Sequence, residues 1–144
     1  MRNILLLITI FTVVTLTTGC GDGKLATINV SGTVTLDGVP LSGASVNFSP
    51  KTSEGHPAYG RTDENGRYKL QTFLGNPDAG TTPGEYLVSI MKTEEVDDSG
   101  SGDNTAPPRA PRSLVPERYT NTNTSGLTAT VTKESTIFNF DLTR

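Results

Sequence analysis

The sequence predicts an all-β protein, an antiparallel two-sheet sandwich of about seven short strands behind an N-terminal export segment. Three observations lead there. Apolar and polar residues alternate with period 2 in one short run after another, the mark of strands with a single buried face. Gly, Pro, Asn and Asp punctuate those runs wherever a turn is needed. Beyond residue 20 no apolar stripe recurs at helical spacing, Thr and Ser are abundant, and Trp is absent.

Length and charge set the bounds. At 144 residues, one domain with one core is expected, burying about two-thirds of the surface of the unfolded chain. Only 33% of the residues are apolar, and the first twenty hold a disproportionate share, so the remainder is polar and rich in loops. Lys and Arg number 12 against 15 Asp and Glu, a net charge of −3. That balance argues against a nucleic-acid partner, whose phosphates demand a basic footprint.

Met1-Arg2-Asn3 places a positive charge before an uncharged apolar run from Ile4 to Leu16. As a helix this run would reach about 20 Å, short of the roughly 30 Å hydrocarbon core of a bilayer. It reads as a signal peptide covering residues 1–19. Thr17-Thr18-Gly19-Cys20 follows at once, and then the polar Gly21-Asp22-Gly23-Lys24. These residues resemble a bacterial lipobox, with Gly19 and Cys20 at its two most restrictive positions and Thr17 where Leu is usual. The resemblance implies that Cys20 is acylated and opens the mature protein, with residues 20–27 as a lipidated tether. It also implies an exported, lipid-anchored envelope protein with the membrane as a partner. Gly21 in place of Asp favours the outer membrane where the host has one. The other reading is ordinary secretory cleavage that leaves Cys20 as a thiol. Cys20 is the only cysteine, so the domain has no intramolecular disulfide.

The domain proper is expected over residues 28–144. Ile28, Val30, Val34 and Leu36 alternate with polar neighbours, and after a break Ala44, Val46 and Phe48 do the same. Asp37-Gly38, Pro40 and Gly43 occupy the break, so the two runs are expected to pair as a hairpin. Lys51 to Pro57 is a polar loop. Ala58 to Thr62 and Arg67 to Thr72 flank Asp63-Glu64-Asn65-Gly66, which predicts a second hairpin with Asn-Gly in its turn. Residues 75–83 are loop by composition. Tyr86, Val88 and Ile90 then alternate in a strand that is expected to be central, because Leu87 and Met91 make its other face apolar too. Residues 93–116 carry an acidic run, then Ser-Gly repeats, then three prolines, and are expected to be a flexible insertion. A third hairpin is expected at the end: Leu127, Ala129 and Val131, a turn at Lys133-Glu134-Ser135, and Phe138, Phe140 and Leu142.

Taken in order, VSGTVTLDGVPLSGASVNFSP, GRTDENGRYKL, PGEYLVSI, PERYTNTNTSGLTATV and FNFDL resemble the bacterial transthyretin-like (carboxypeptidase regulatory-like) lipoproteins. The resemblance covers nearly all of residues 28–142 and implies a prealbumin-like Greek-key sandwich.

Chemistry-bearing patterns are few. His56 is the only histidine; it lies in a polar loop beside Pro57, with no second imidazole for zinc, and is expected to be solvated. No serine sits in a GxSxG elbow. A transthyretin-like hydroxyisourate hydrolase would need several histidines and a terminal Tyr-Arg-Gly-Ser, whereas this chain ends Asp141-Leu142-Thr143-Arg144. Asp63 to Gly66 and Asp97 to Gly100 cluster hard oxygen ligands without the alternating spacing of a calcium loop, and read as a turn and a linker. No catalytic, cofactor or metal site is therefore expected, and the chain reads as a non-enzyme. Tyr59 and Tyr119 are the aromatics expected to be exposed, which makes them candidate contacts for a sugar. The alternative for Tyr119 is packing the start of its strand against the core. The expected function is a lipid-anchored structural or protein-interaction module of the cell envelope. The alternative is a carbohydrate-binding module that holds cell-wall or extracellular polysaccharide.

Overall fold

Alternation along the chain becomes alternation of burial. The computed structural model describes residues 26–72, 80–94 and 111–144; the expected signal peptide, Cys20 and most of the expected insertion at 93–116 lie outside them. Among the described residues nine strands form, where about seven were expected: β1 (Ser31–Leu36), β2 (Val39–Pro40), β3 (Ser45–Pro50), β4 (Ala58–Arg61), β5 (Arg67–Lys69), β6 (Gln71–Thr72), β7 (Gly84–Met91), β8 (Leu127–Val131) and β9 (Phe140–Leu142). One sheet runs β2-β1-β5 with β9 also on β1, and the other runs β6-β4-β3-β7-β8. They face each other as a sandwich, as the sequence predicts, and three of the strands are only two or three residues long apart from β9.

Phe48 of β3 stands at the centre of the core. Its ring meets Tyr86 of the same sheet at 5.7 Å, and across the sandwich Tyr68 and Phe140 of the opposite sheet and Phe138 of the segment before β9 at 6.5, 6.2 and 6.1 Å between centroids. Val34, Val46, Val88, Ile90 and Leu142 fill the space around these rings and are almost wholly buried. At roughly 1.5–3 kcal/mol for each fully buried apolar side chain, this layer dominates the stability of the domain. β7 lies between β3 and β8, the central place expected for it. Met91 at its end is nevertheless exposed.

Pairing departs from the three expected hairpins. Asp37 and Gly38 have φ of 52° and 79°, the left-handed pair that a two-residue hairpin turn requires. The hairpin they make is short, matching Thr35 with Pro40 and Leu36 with Val39. The chain then crosses to the other sheet, where β3 pairs with β4 and β7 rather than with β1. β1 has no room for it. The backbone groups of Val30 and Val34 bond to Leu70, Gly66 and Leu41 on one side, and those of Ser31 bond to Thr136 and Phe138 on the other. Pro40 faces Thr35, whose backbone turns away from β2, so its missing N–H is not needed. Buried Thr62 holds the crossover: its hydroxyl donates to Leu41 O at 2.6 Å and accepts from Ala44 N at 2.8 Å.

The second expected hairpin divides between the sheets. Its turn forms, with Asp63 Oδ1 accepting from the N–H groups of Asn65 and Arg67 at 2.9 and 2.8 Å and Gly66 at φ 72°. Beyond it β5 pairs with β1, and only β6 returns to β4. The third divides more widely: β8 joins β7, while β9 runs parallel to β1. The insertion is also anchored closer to its middle than expected. Thr93 bridges Ser113, Glu94 N bonds Arg112 O, Leu114 N bonds Lys92 O, and Val115 is buried. Buried Val115 and these backbone bonds together hold that end of the insertion against the core.

Gly32 and Gly60 are among the glycines where backbones nearly touch. A Cβ on Gly32 would stand 1.7 Å from Phe138 O, and one on Gly60 would stand 2.4 Å from Lys69 O. Gly32→Ala is therefore expected to destabilise the domain by at least about 3 kcal/mol, measured by urea unfolding; a loss below about 1 kcal/mol would show that the terminal segment yields easily. Phe138 O also accepts the Tyr68 hydroxyl at 2.7 Å. Tyr68→Phe is expected to lose about 1–3 kcal/mol because a carbonyl loses its partner. Burial pushes the Tyr68 phenol well above its ordinary value. Its contribution is then complete below about pH 10 and is lost as the pH climbs above that, the ordinary phenol value. A pH series of unfolding midpoints on both chains should show this alkaline loss in the parent and not in the phenylalanine variant.

Candidate functional site

The outer face of the four-stranded sheet gathers most of the polar chemistry. Alternation turns Ser31, Thr33 and Thr35 outward on β1 and Arg67 and Lys69 outward on β5. Register sets Lys69 and Ile137 either side of Ser31, Arg67 beside Thr33, and Asp141 beside Thr35. Asn139 Oδ1 accepts from both the N–H and the hydroxyl of Thr33 at 3.0 Å, and Asp141 accepts from Thr35 at 2.6 Å. These bonds fix the Asn139 amide plane and leave its NH2 without a partner among the described residues.

A groove of about 780 Å³ opens along this face. Thr33, Arg67, Lys69 and Asn139 form one wall, and Arg61 and Gln71 form the other from the edge of the five-stranded sheet. The close approach of Gly60 to Lys69 O brings these two walls together. Three cations thus meet one carboxylate, Asp63, in a chain whose net charge is −3. One oxygen of that carboxylate is already committed to the turn amides. The ion pairs among the described residues, Lys51 with Glu85 at 3.3 Å and Asp37 with Arg144 at 2.7 Å, include neither Arg67 nor Lys69. Arg61 also borders a second hollow of about 400 Å³, lined by Lys92 and Glu94.

Of the two tyrosines expected at a site, neither lines this groove. Tyr59 is half-buried on β4 and pairs across the strands with Gln71, which places it beside the groove wall. Tyr119 is corrected from exposed to buried, with 8% of its surface accessible. It sits in a single 3-10 turn at Glu117–Thr120, where the Arg118 guanidinium lies 4.6 Å from its ring centre. Its hydroxyl accepts from Arg118 Nη2 and from Thr143 N, each at 3.3 Å. Arg118 also donates to Thr143 O. Tyr119 therefore joins the core from a turn packed beside β7 and fastens the segment at Thr143. PERY has no periodicity, so nothing local announces this burial.

His56 is likewise not a solvated loop residue. It is half-buried, its N–H donates to Thr82 Oγ1 at 3.3 Å, and its Nδ1 is buried with no partner among the described residues. Among the described residues, no three His, Cys, Asp or Glu side chains gather where a metal could bind. Cys20 lies outside the described residues. The sequence did carry one sign of the groove: Arg67, Lys69 and Gln71 recur with period 2, so one face of that segment is polar throughout. Arg61, Thr33 and Asn139 join them only through long-range pairing.

Comparison of the chain with family models, curated proteins and solved structures finds no match in any of the three.

Hydrogen bonds from the Thr143 side chain and backbone, together with Arg118, hold the Tyr119 phenol below its ordinary value. A depressed phenol stabilises the fold above about pH 10, its unfolded value, and that contribution disappears as the pH falls through the folded value. In an alkaline titration followed by phenolate absorbance, Tyr119 should ionise before Tyr68, and Tyr119→Phe should remove the earlier step. Arg118→Gln should move that step upward; an unmoved step would show that Arg118 does not act on the phenol.

Proposed function

We propose that this chain is a non-enzymatic, lipid-anchored binding module of the bacterial cell envelope, held through Cys20, which binds polysaccharide on the outer face of its four-stranded sheet. The anchor rests on the lipobox resemblance at Thr17 to Cys20. The binding role rests above all on one observation: Arg61, Arg67 and Lys69 share a groove with the hydroxyl and amide side chains of Thr33, Asn139 and Gln71. Such a mixture of donors and acceptors suits a ligand dense in hydroxyl groups. Of the large exposed apolar side chains, only Ile137 lines the groove, and protein interfaces commonly depend on buried aromatic or apolar anchors. That contrast favours polysaccharide over the structural or protein-interaction reading. Tyr59 stands beside Gln71 at the groove wall, whereas Tyr119 is held by its bonds to Arg118 and Thr143.

Two measurements test the reading. The full chain expressed in a bacterium should enter the detergent phase on temperature-induced phase separation, and Cys20→Ala should move it to the aqueous phase; equal partitioning of the two would remove the anchor. Cross-linking in the native envelope followed by affinity purification should bring polysaccharide with the protein. A discrete protein captured without glycan would return the protein-interaction reading to first place.

A further inference from the structure

We propose that the polysaccharide is anionic, carrying carboxylate groups at regular intervals, and that Arg67 and Lys69 are the residues that select it. The inference rests on the polysaccharide reading and deepens it. A neutral glycan gives no use for Arg67 and Lys69, two cations side by side with no ion pair among the described residues, and an acidic chain would be expected to place neutral or acidic side chains there. Arg67 and Lys69 lie two residues apart on β5, so they project from one face with Cα atoms about 7 Å apart. Their backbone is fixed, because each pairs with β1, Lys69 with Ser31 and Arg67 with Thr33. A polymer bearing one carboxylate on each sugar presents its charges at comparable spacing. Arginine can take such a carboxylate through two parallel N–H bonds, and lysine can hold the next as a point charge. Across β1 from Arg67 the Asn139 NH2, oriented by the two bonds that Thr33 makes to Oδ1, donates to a ring or hydroxyl oxygen. Gln71, half-buried on the opposite wall, offers both a donor and an acceptor. The groove is open rather than closed, which lets a long chain pass through it.

The test uses the purified full chain in detergent micelles and four immobilised probes: polygalacturonate, its methyl ester, neutral dextran and a phosphate-bearing glycan. Polygalacturonate should retain the protein, and the ester and dextran should not. Raising salt from about 0.05 M to about 0.5 M should weaken retention strongly, since exposed charges are screened over a few Å at the higher strength. The double variant Arg67→Gln, Lys69→Gln should bind polygalacturonate at least about tenfold more weakly with an unchanged Tm. Lys51→Gln, which removes a cation paired elsewhere with Glu85, should bind as the parent does. Arg67→Lys should recover part of the affinity but not all, because the charge returns without the two-bond fork. Equal retention on the acid and its ester, or an unaffected double variant, would overturn the inference. Retention on dextran that Asn139→Ala abolishes would sink the anionic assignment while leaving the polysaccharide reading intact. Retention on the phosphate-bearing glycan alone would overturn the carboxylate assignment, and retention on none of the four would overturn both readings.

Discussion

β1 is bonded on both of its sides, and most of the architecture follows from that. Its even-numbered residues give their backbone groups to β5 and β2, and Ser31, among the odd-numbered ones, gives its own to the C-terminal segment. Of those even-numbered residues, Val34 and Leu36 turn their side chains into the core, and Gly32 leaves room there for the Phe138 carbonyl. A strand so committed cannot pair with β3, so the chain after Pro40 must cross, and the five-stranded sheet is built from what lies beyond. The same commitment sets Ser31, Thr33 and Thr35 in the middle of a polar face, with cations on one side and amide and carboxylate side chains on the other.

Close packing at two glycines joins this face to the rest of the molecule. Gly32 lets Phe138 approach β1 so tightly that its carbonyl occupies the place of a side chain, and the Tyr68 hydroxyl closes over the same carbonyl. Phe138 can then lay its ring against Phe48 from the opposite sheet. At Gly60 the two sheets come together beside Lys69, which is why a groove at their shared edge has walls from both. Core packing and surface chemistry therefore depend on the same few backbone contacts.

What could be read from the sequence was local. Each apolar member of the alternating runs in β1, β3 and β7 is buried where expected, because period 2 is a property of neighbouring residues. The turns were legible for the same reason: Asp37-Gly38 and Asp63 to Gly66 form with the backbone angles their residues favour. Partnership was not legible. A turn at Asp37-Gly38 fixes two pairs and says nothing of the residues after Pro40, and no spacing rule brings Asn139 beside Thr33. Tyr119 was misjudged because a 3-10 turn has no alternating pattern to separate its inner from its outer side. The cations of the groove were visible one by one, but their convergence depends on a sheet edge that only the folded chain possesses.

The parallel pairing of β9 with β1 has a kinetic meaning. Thr35 and Asp141 are bonded across 106 positions of sequence, so this pair raises the contact order of the chain and belongs late in folding, after loop closure has been compensated by nearer contacts. Synthesis delivers β1 well before β9. Until Phe138 to Leu142 arrive, one side of β1 remains an open edge, and the polar face that needs Asn139 does not exist. The polar face is thus assembled only when Phe138 to Leu142 have paired with β1, so its appearance reports that the most distant contact of the sheet has formed.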